Sequence, residues 1–407
     1  MFDANLNEPQ ARLDRLQLAA LAGLMLLGAA FVYSARMASE PNLVWYSQSW
    51  FRQVIWYGLG IGAGAAVCLL DYRTLARWAF VVYWLSIVPL LAVLVRGIGT
   101  THGWGAMRWI DLGFFQFQPS EFAKLAFILA EAHFLSRPVE ELRNPGNFFK
   151  ALGLLALPFL LIMTEPDLGS ALVLLPTGML MLYAAGTPKR YLAWLLGSGS
   201  ALAGLFLVTV LFVPPNWQLI KLEDYQRRRL LVYFGCEDSP ATNLPRAEQD
   251  RLRKELRKQQ FDDSHNVRQA EISVGSGGLL GKGWRHGTQN ALGFLPRAVA
   301  HNDFIFSVIA EEKGFLGSVL VLTLYGTVLF TGIRIAGQAR DRLGRLLAVG
   351  VVTLLFSHVF INIGMNIRIM PVTGVPLPLL SYGGSSVLGS LIAMGLLQNV
   401  YIYRKAY

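Results

Sequence analysis

Two cysteines, Cys68 and Cys236, are all that 407 residues contain, which excludes a disulfide scaffold. Cys68 sits in an apolar segment and Cys236 in the long loop, so no bond between them is expected. Charge is also scarce, with 15% of residues Asp, Glu, Lys or Arg against 54% hydrophobic, which is not the balance of a water-soluble domain. No repeat of about 20 to 50 residues runs through the chain, so solenoids and propellers are excluded. The opening residues, MFDANLNEPQARLDRLQ, carry acids and lack the basic region, apolar core and cleavage site of a secretory leader. The first apolar run is therefore expected to remain as a membrane anchor. Nor does the glycine-rich stretch near Gly275 have the strand–loop–helix setting and Gly-Lys-Ser/Thr ending of a phosphate loop, so no nucleotide site is expected.

What is abundant is apolar sequence, with a mean hydropathy of +0.43. Runs long enough to cross about 30 Å of hydrocarbon recur throughout, which implies helices rather than a barrel. The reading is an all-α polytopic membrane protein with about ten transmembrane helices, over 17–36, 53–71, 76–96, 120–136, 149–165, 168–186, 191–213, 304–335, 344–364 and 384–403. It forms a single integral membrane domain over 1–407, with a large extracytoplasmic loop at 214–302 between the seventh and eighth helices. Basic residues crowd one set of short loops, including Arg12, Arg73, Arg137, Lys189, Arg342 and Arg404. The opposite set holds only Arg52, Arg96, Arg108 and Arg368, so both termini are expected in the cytoplasm. The net charge of +10 is then a topology signal, and no nucleic-acid partner is needed to explain it. Within the large loop, 245–263 reads as a solvated surface helix.

The chain is organised around 275–314, where glycines at 275, 277, 278, 281 and 283 lead through a proline turn into a helix opening at His301-Asn302-Asp303. With the topology above, Asp303 lies outside the cytoplasm. As a residue type it is a helix N-cap, and the same position suits a carboxylate that accepts a proton or binds a cation. Ser307, Ala310 and Gly314 share its face and predict a small-residue groove, with Glu311 deeper on the same side. Elsewhere, Gln118-Pro119-Ser120-Glu121 reads as a helix start. Glu121 and Lys124, three apart on one face, read as an internal ion pair or as a pair with a direct part in catalysis. Arg108 beside Trp109 is an interfacial anchor or a phosphate contact. Asp167 is placed to cap the helix that follows Pro166, or to converge with Asp303 on one cavity as an acidic pair or cation site. Arg227, Arg228 and Arg229 suit either anionic headgroups or the phosphates of a lipid-linked substrate. Arg368, the one charge in the proline- and glycine-rich stretch 362–386, is an expected anion contact.

Taken together, RWIDLGFFQFQPSE, EPDLGS, YQRRRLL, GSGGLLGKGWRHGTQ, FLP followed by NDFIFSVIAEEKGF, and NIGM followed by PVTGVPLPLLSYGGSS resemble the SEDS family of shape, elongation, division and sporulation proteins. The likeness covers the whole chain in order, and PVTGVPLP is similar to the rod-shape-determining branch. It implies a ten-span peptidoglycan glycosyltransferase that polymerises lipid II outside the cytoplasmic membrane, with a class B penicillin-binding protein as transpeptidase partner and membrane lipids as surroundings. By position in the motifs, it implies Asp303 as the essential aspartate and Arg108, Glu121, Lys124, Asp167 and Gln269 as further motif residues. Those five, with Arg227, Arg229, Arg368 and Ser276 in the glycine loop, are the expected substrate-binding residues. The chain departs from the family pattern at Ala270, Arg297, Asn302 and Arg368, and in what reads as an insertion over about 239–263.

An inverting transfer of this kind needs a base at the attacking hydroxyl and positive charge at the leaving pyrophosphate. Asp303 is the expected base, and Arg108, Arg227, Arg229 and Arg368 are the expected positive groups. A divalent cation is the alternative source of that charge. Two other functions use the same features: a transporter that flips lipid II, and a non-catalytic scaffold that recruits the transpeptidase.

Overall fold

The computed structural model describes residues 13–405 apart from 38, 41–42, 96–98, 101–107, 114, 213–226, 228–229, 232, 235–264 and 296–299. Arg228, Arg229, Cys236, Arg297 and the surface helix expected over 245–263 lie outside the described residues.

Long apolar helices occupy each of the stretches read as spans. They are α1 (Arg15–Arg36), α2 (Ser49–Leu69), α4 (Ala79–Val93), α5 (Pro119–Leu135), α7 (Pro145–Thr164), α8 (Leu168–Ala184) and α9 (Lys189–Phe212). Beyond the large loop come α12 (Ile305–Gln338), α13 (Arg342–Asn366) and α14 (Gly384–Ile402). Short helices α3 (Tyr72–Arg77), α6 (Val139–Leu142), α10 (265–276) and α11 (Thr288–Ala291) lie between them. Six of these helices, α1, α7, α9, α12, α13 and α14, are long and apolar enough by length and composition to cross a membrane. The fold is an all-α polytopic membrane fold.

α5 is the central column. Every residue in it except Phe122 and His133 is buried, and it packs against α4, α7, α8, α13 and α14. α2 lies along α14, and the approach is close because glycines face it. A Cβ on Gly64 would stand 2.8 Å from Leu391 O, and one on Gly395 would stand 2.6 Å from Gly64 O, the small-residue contact of membrane helices.

Polar contacts sort into two ends. At one end Asp14, which caps α1, is bonded by Arg334 and Gln398. Arg73 and Tyr72 bond Asp341, and Arg342 bonds the carbonyls of Arg137 and Ala185. At the other end Ser34 meets Glu312, Gln53 meets Ser381 O, and Gln118 N meets Ser385. The first and last parts of the described chain thus share one end, as an even number of crossings requires.

A three-stranded antiparallel sheet, which the sequence reading did not anticipate, lies at the second end. It comprises β1 (Gly99–Thr100), β2 (Trp109–Asp111) and β3 (Gln116–Phe117), in that order. It seats Arg108 immediately before β2 and Gln118 immediately after β3.

Candidate active site

Asp303 is partly buried in a turn over 301–304, and α12 begins only at Ile305. The N-cap position falls one residue after Asp303, at Phe304. A helix start leaves amide hydrogens without intrahelical partners. Here the Ser307 amide is received by Oδ1 of Asn366, on a different helix, at 3.3 Å. That oxygen also accepts the Ser307 hydroxyl at 2.6 Å.

The backbone before α12 is held at three successive carbonyls. Tyr382 N donates to His301 O at 3.0 Å, and Ser381 Oγ donates to Asn302 O at 2.5 Å. Asp303 O accepts from Nδ2 of both Asn362, at 3.1 Å, and Asn366, at 3.0 Å. The proline-rich stretch 371–383 and the end of α13 therefore form a frame around the turn. His301 is buried against the Tyr382 ring, and its Nδ1 has no partner among the described residues. Burial, with the Arg36 charge adding to it, lowers its pKa to about 3, so the imidazole is neutral.

Below Asp303, the groove predicted along Ser307, Ala310 and Gly314 is filled by the protein's own glycine loop. α12 breaks at Gly314, whose φ is +63° and ψ −155°. The loop repairs the interrupted ladder from both sides: Lys282 N and Gly283 N donate to Glu311 O and Glu312 O, each at 3.0 Å. Phe315 N and Leu316 N donate to Gly278 O and Leu279 O at 2.8 and 3.1 Å. Only glycine fits this contact, because a Cβ on Gly277 or Gly281 would overlap the carbonyls of Ala310 or Glu312. Glu311, wholly buried, is reached at Oε1 by Lys282 Nζ at 2.6 Å and by Thr288 Oγ1 and Gln289 N at 3.0 Å each. Glu311 and Glu312 are thus the fastening of the loop to the broken helix.

The other predicted residues fall into three groups. Arg108 bonds Pro166 O and lies 3.7 Å from Asp167, which caps α8 through Ser170 N and accepts Gln118 Nε2 at 3.2 Å. Beside them Glu165 is fully buried, and neither carboxyl oxygen has a hydrogen-bond partner among the described residues. Burial, and next the Asp167 charge, raise its pKa to about 9, against the opposing pull of Arg108. Glu121 and Lys124 form the expected buried pair at 2.7 Å, and Lys124 Nζ also lies 2.9 Å from His358 Nε2 on α13. Gln269 and Ser276 are engaged locally on α10, Gln269 with His265 and Ser276 with Ser273 O. Arg368 reaches Glu271 of that helix at 3.7 Å. Arg227 is partly buried.

Sequence reasoning missed Glu165, His358, Asn366 and Ser381. A signal did exist for the asparagine: Asn362 and Asn366, four apart in an apolar span, share one helix face, and polar groups at that depth require partners.

The family model FTSW_RODA_SPOVE, cell cycle protein, matches residues 14–406. The chain is 36% identical over 388 residues to the peptidoglycan glycosyltransferase MrdB of Escherichia coli K12, covering 94% of this chain and 93% of that protein. It is 33% identical over 392 residues to the stage V sporulation protein E of Bacillus subtilis, covering 94% and 95%. Among solved structures it is similar to a chain from work on the structural coordination of polymerization and crosslinking by a peptidoglycan synthase complex. There the TM-score is 0.73 and the identity 30%, over 97% of this chain and 99% of that one. It is also similar to the rod shape determining protein RodA of Thermus thermophilus, with TM-score 0.65 and identity 28% over 98% and 99%.

Proposed function

This chain belongs to the FTSW_RODA_SPOVE cell cycle family, the SEDS proteins, and on that premise we propose that it is a peptidoglycan glycosyltransferase of the bacterial cytoplasmic membrane, building glycan strands for elongation and cell shape. Asp303 is the base. Its carboxylate takes the proton of the acceptor sugar hydroxyl, whose oxygen bonds the anomeric carbon of lipid II as the carbon–oxygen bond to the lipid pyrophosphate breaks. The electron pair leaves on the pyrophosphate, and arginines offset its charge. Arg108 and Arg368 suit that task, together with Arg227 and Arg229.

The observation that carries the role of Asp303 is the anchoring of 301–303 at every carbonyl. It holds the backbone of the turn that carries the carboxylate. Among the described residues no three His, Cys, Asp or Glu side chains converge as a metal site. The end of the molecule that holds Asp14, Arg73, Arg334 and Gln398 is placed in the cytoplasm, with the 214–302 loop and Asp303 outside. A class B penicillin-binding protein is the partner that would crosslink the strands.

The test is lipid II polymerisation on a gel by the purified chain, alone and with that partner. Glycan strands are expected from the parent and none from Asp303→Ala; polymerisation by a folded Asp303→Ala at the parental rate sinks the assignment. Lipid II flipping in liposomes without glycan product would point to a transporter instead.

A further inference from the structure

We propose that the outer part of α12 and the glycine loop hold a binding site for a hard divalent cation of the calcium type, with Glu311, Glu312 and Asn290 as oxygen ligands and Gln289 beside them. The site stands apart from the chemistry assigned to Asp303, and so does its test.

Charge is out of balance at this place. Glu311 and Glu312 are both buried, and among the described residues Lys282, 2.6 Å from Glu311 Oε1, is the one basic side chain within ion-pair distance of either. Each carboxylate uses a single oxygen. Glu311 Oε1 accepts from Lys282, Thr288 Oγ1 and Gln289 N, and Glu312 Oε1 accepts the Ser34 hydroxyl at 2.5 Å. The second oxygen of each, Oε2, is buried with no hydrogen-bond partner among the described residues. Buried oxygens are ordinarily satisfied, and a buried carboxylate without a counter-charge is costly.

Two carboxamides bring further oxygens to the same neighbourhood. Asn290 donates Nδ2 to the carbonyl of Ser34, the residue whose hydroxyl holds Glu312, and its Oδ1 is buried and unpartnered. Gln289, whose backbone amide binds Glu311, likewise has a buried and unpartnered Oε1. With both glutamates ionised, none of these four oxygens can donate a proton, so they cannot satisfy one another. A cation serves all of them.

Room beside them comes from Gly287. A Cβ there would stand 3.0 Å from Glu311 Oε2 and 3.3 Å from Glu312 Cγ. Its φ of −63° and ψ of 108° suit any residue, so the glycine answers to this space and not to the backbone. Carboxylate and carboxamide oxygens completed by water are a ligand set of Ca²⁺, whereas Mg²⁺ demands a near-ideal octahedron and gives up its water reluctantly. The set contains no imidazole or thiolate, which distinguishes it from a zinc site. Lys282 and Gln289 keep partial exposure, which gives the ion a way in. Bound there, it ties α11 and the glycine loop to α12 above the break at Gly314, and to α1 through Ser34.

The experiment is equilibrium dialysis of Ca²⁺ against the purified full chain in an uncharged detergent, with Tm measured in Ca²⁺ and in EDTA. One saturable Ca²⁺ per chain is expected, with a Kd on the order of 10⁻⁴ to 10⁻³ M, the range of extracellular modules. Tm should rise with Ca²⁺ and fall back in EDTA. Gly287→Ala fills the space while keeping every hydrogen bond named above, and Glu312→Gln removes one charge. Each should weaken binding by more than about 10-fold, since even the outer-shell partners of a bound metal carry that much. Glu140→Gln, at an exposed acid near the opposite end, should leave both readouts at parental values. Absence of saturable binding at Ca²⁺ concentrations well above that range overturns the proposal, and so does parental binding in both site variants. Equal protection by Mg²⁺ or Na⁺ overturns the calcium assignment. Should Glu312→Gln not fold, Gly287→Ala decides alone. No readout here uses polymerisation, so failure leaves the role of Asp303 untouched.

Discussion

Lys282 Nζ lies 2.6 Å from Oε1 of Glu311, joining the glycine loop to the outer segment of α12 just above its break at Gly314. Glu311 has no exposure and Lys282 retains some, so removing the lysine leaves a buried charge unpaired. Lys282→Met should destabilise by an amount near the lower end of the roughly 3–5 kcal/mol typical of a broken buried pair, read as a drop in Tm in detergent. Glu311→Gln in the Lys282→Met background should recover part of that loss, because no charge remains. A double variant no more stable than the single one would contradict the pairing.

Glu165 makes stability pH-dependent in a defined direction. Its pKa is about 9 in the folded protein, from burial first and Asp167 second, against about 4.3 for an exposed glutamate. Between those values the folded protein binds the proton that the unfolded chain has released, so stability falls as pH rises through that window. Glu165→Gln removes the dependence. Its Tm advantage over the parent should widen from pH 5 to pH 9, and parallel Tm curves would show that the carboxyl is not held protonated.

His301 works from the opposite side. Its folded pKa of about 3 lies below the free value of about 6.5, so its stabilising effect is present above pH 6.5 and is lost as pH falls toward 3. His301→Phe keeps an aromatic ring against Tyr382 but cannot take a proton. The parent should lose more Tm than this variant between pH 7 and pH 4.5, and an equal loss in both would rule out a neutral, buried imidazole.

The glycine loop permits an internal comparison. Gly281 has φ +81° and faces the Glu312 carbonyl, where a Cβ would overlap, whereas a Cβ on Gly275 would meet nothing within 4 Å. Gly281→Ala should cost about 1–3 kcal/mol or more and lower polymerisation. Gly275→Ala should stay within about 0.5 kcal/mol of the parent. If the two variants behave alike, the loop does not depend on the helix break.

The long helices were readable because burial in hydrocarbon demands apolar runs of a set length, and that demand is local in sequence. The start of α5 at Pro119, the Asp167 cap and the Glu121–Lys124 pair were readable for the same reason, since each rests on residues within one turn. The break of α12 at Gly314 was not, because its interrupted ladder is completed by backbone about 30 residues earlier in the chain. The small sheet around Arg108 escaped notice because its strands are only two or three residues long.

By itself, then, the sequence determined an all-α membrane protein with an acid at the mouth of a helix after a glycine loop, because those features follow from composition, periodicity and motif. Only the tertiary structure decided how that acid is held. Asn362, Asn366, Ser381 and Tyr382 lie roughly 60 to 80 residues beyond Asp303 and meet its turn through hydrogen bonds. Such bonds depend on where helices cross, which no local pattern specifies. These contacts exist only once α12 and α13 are packed together.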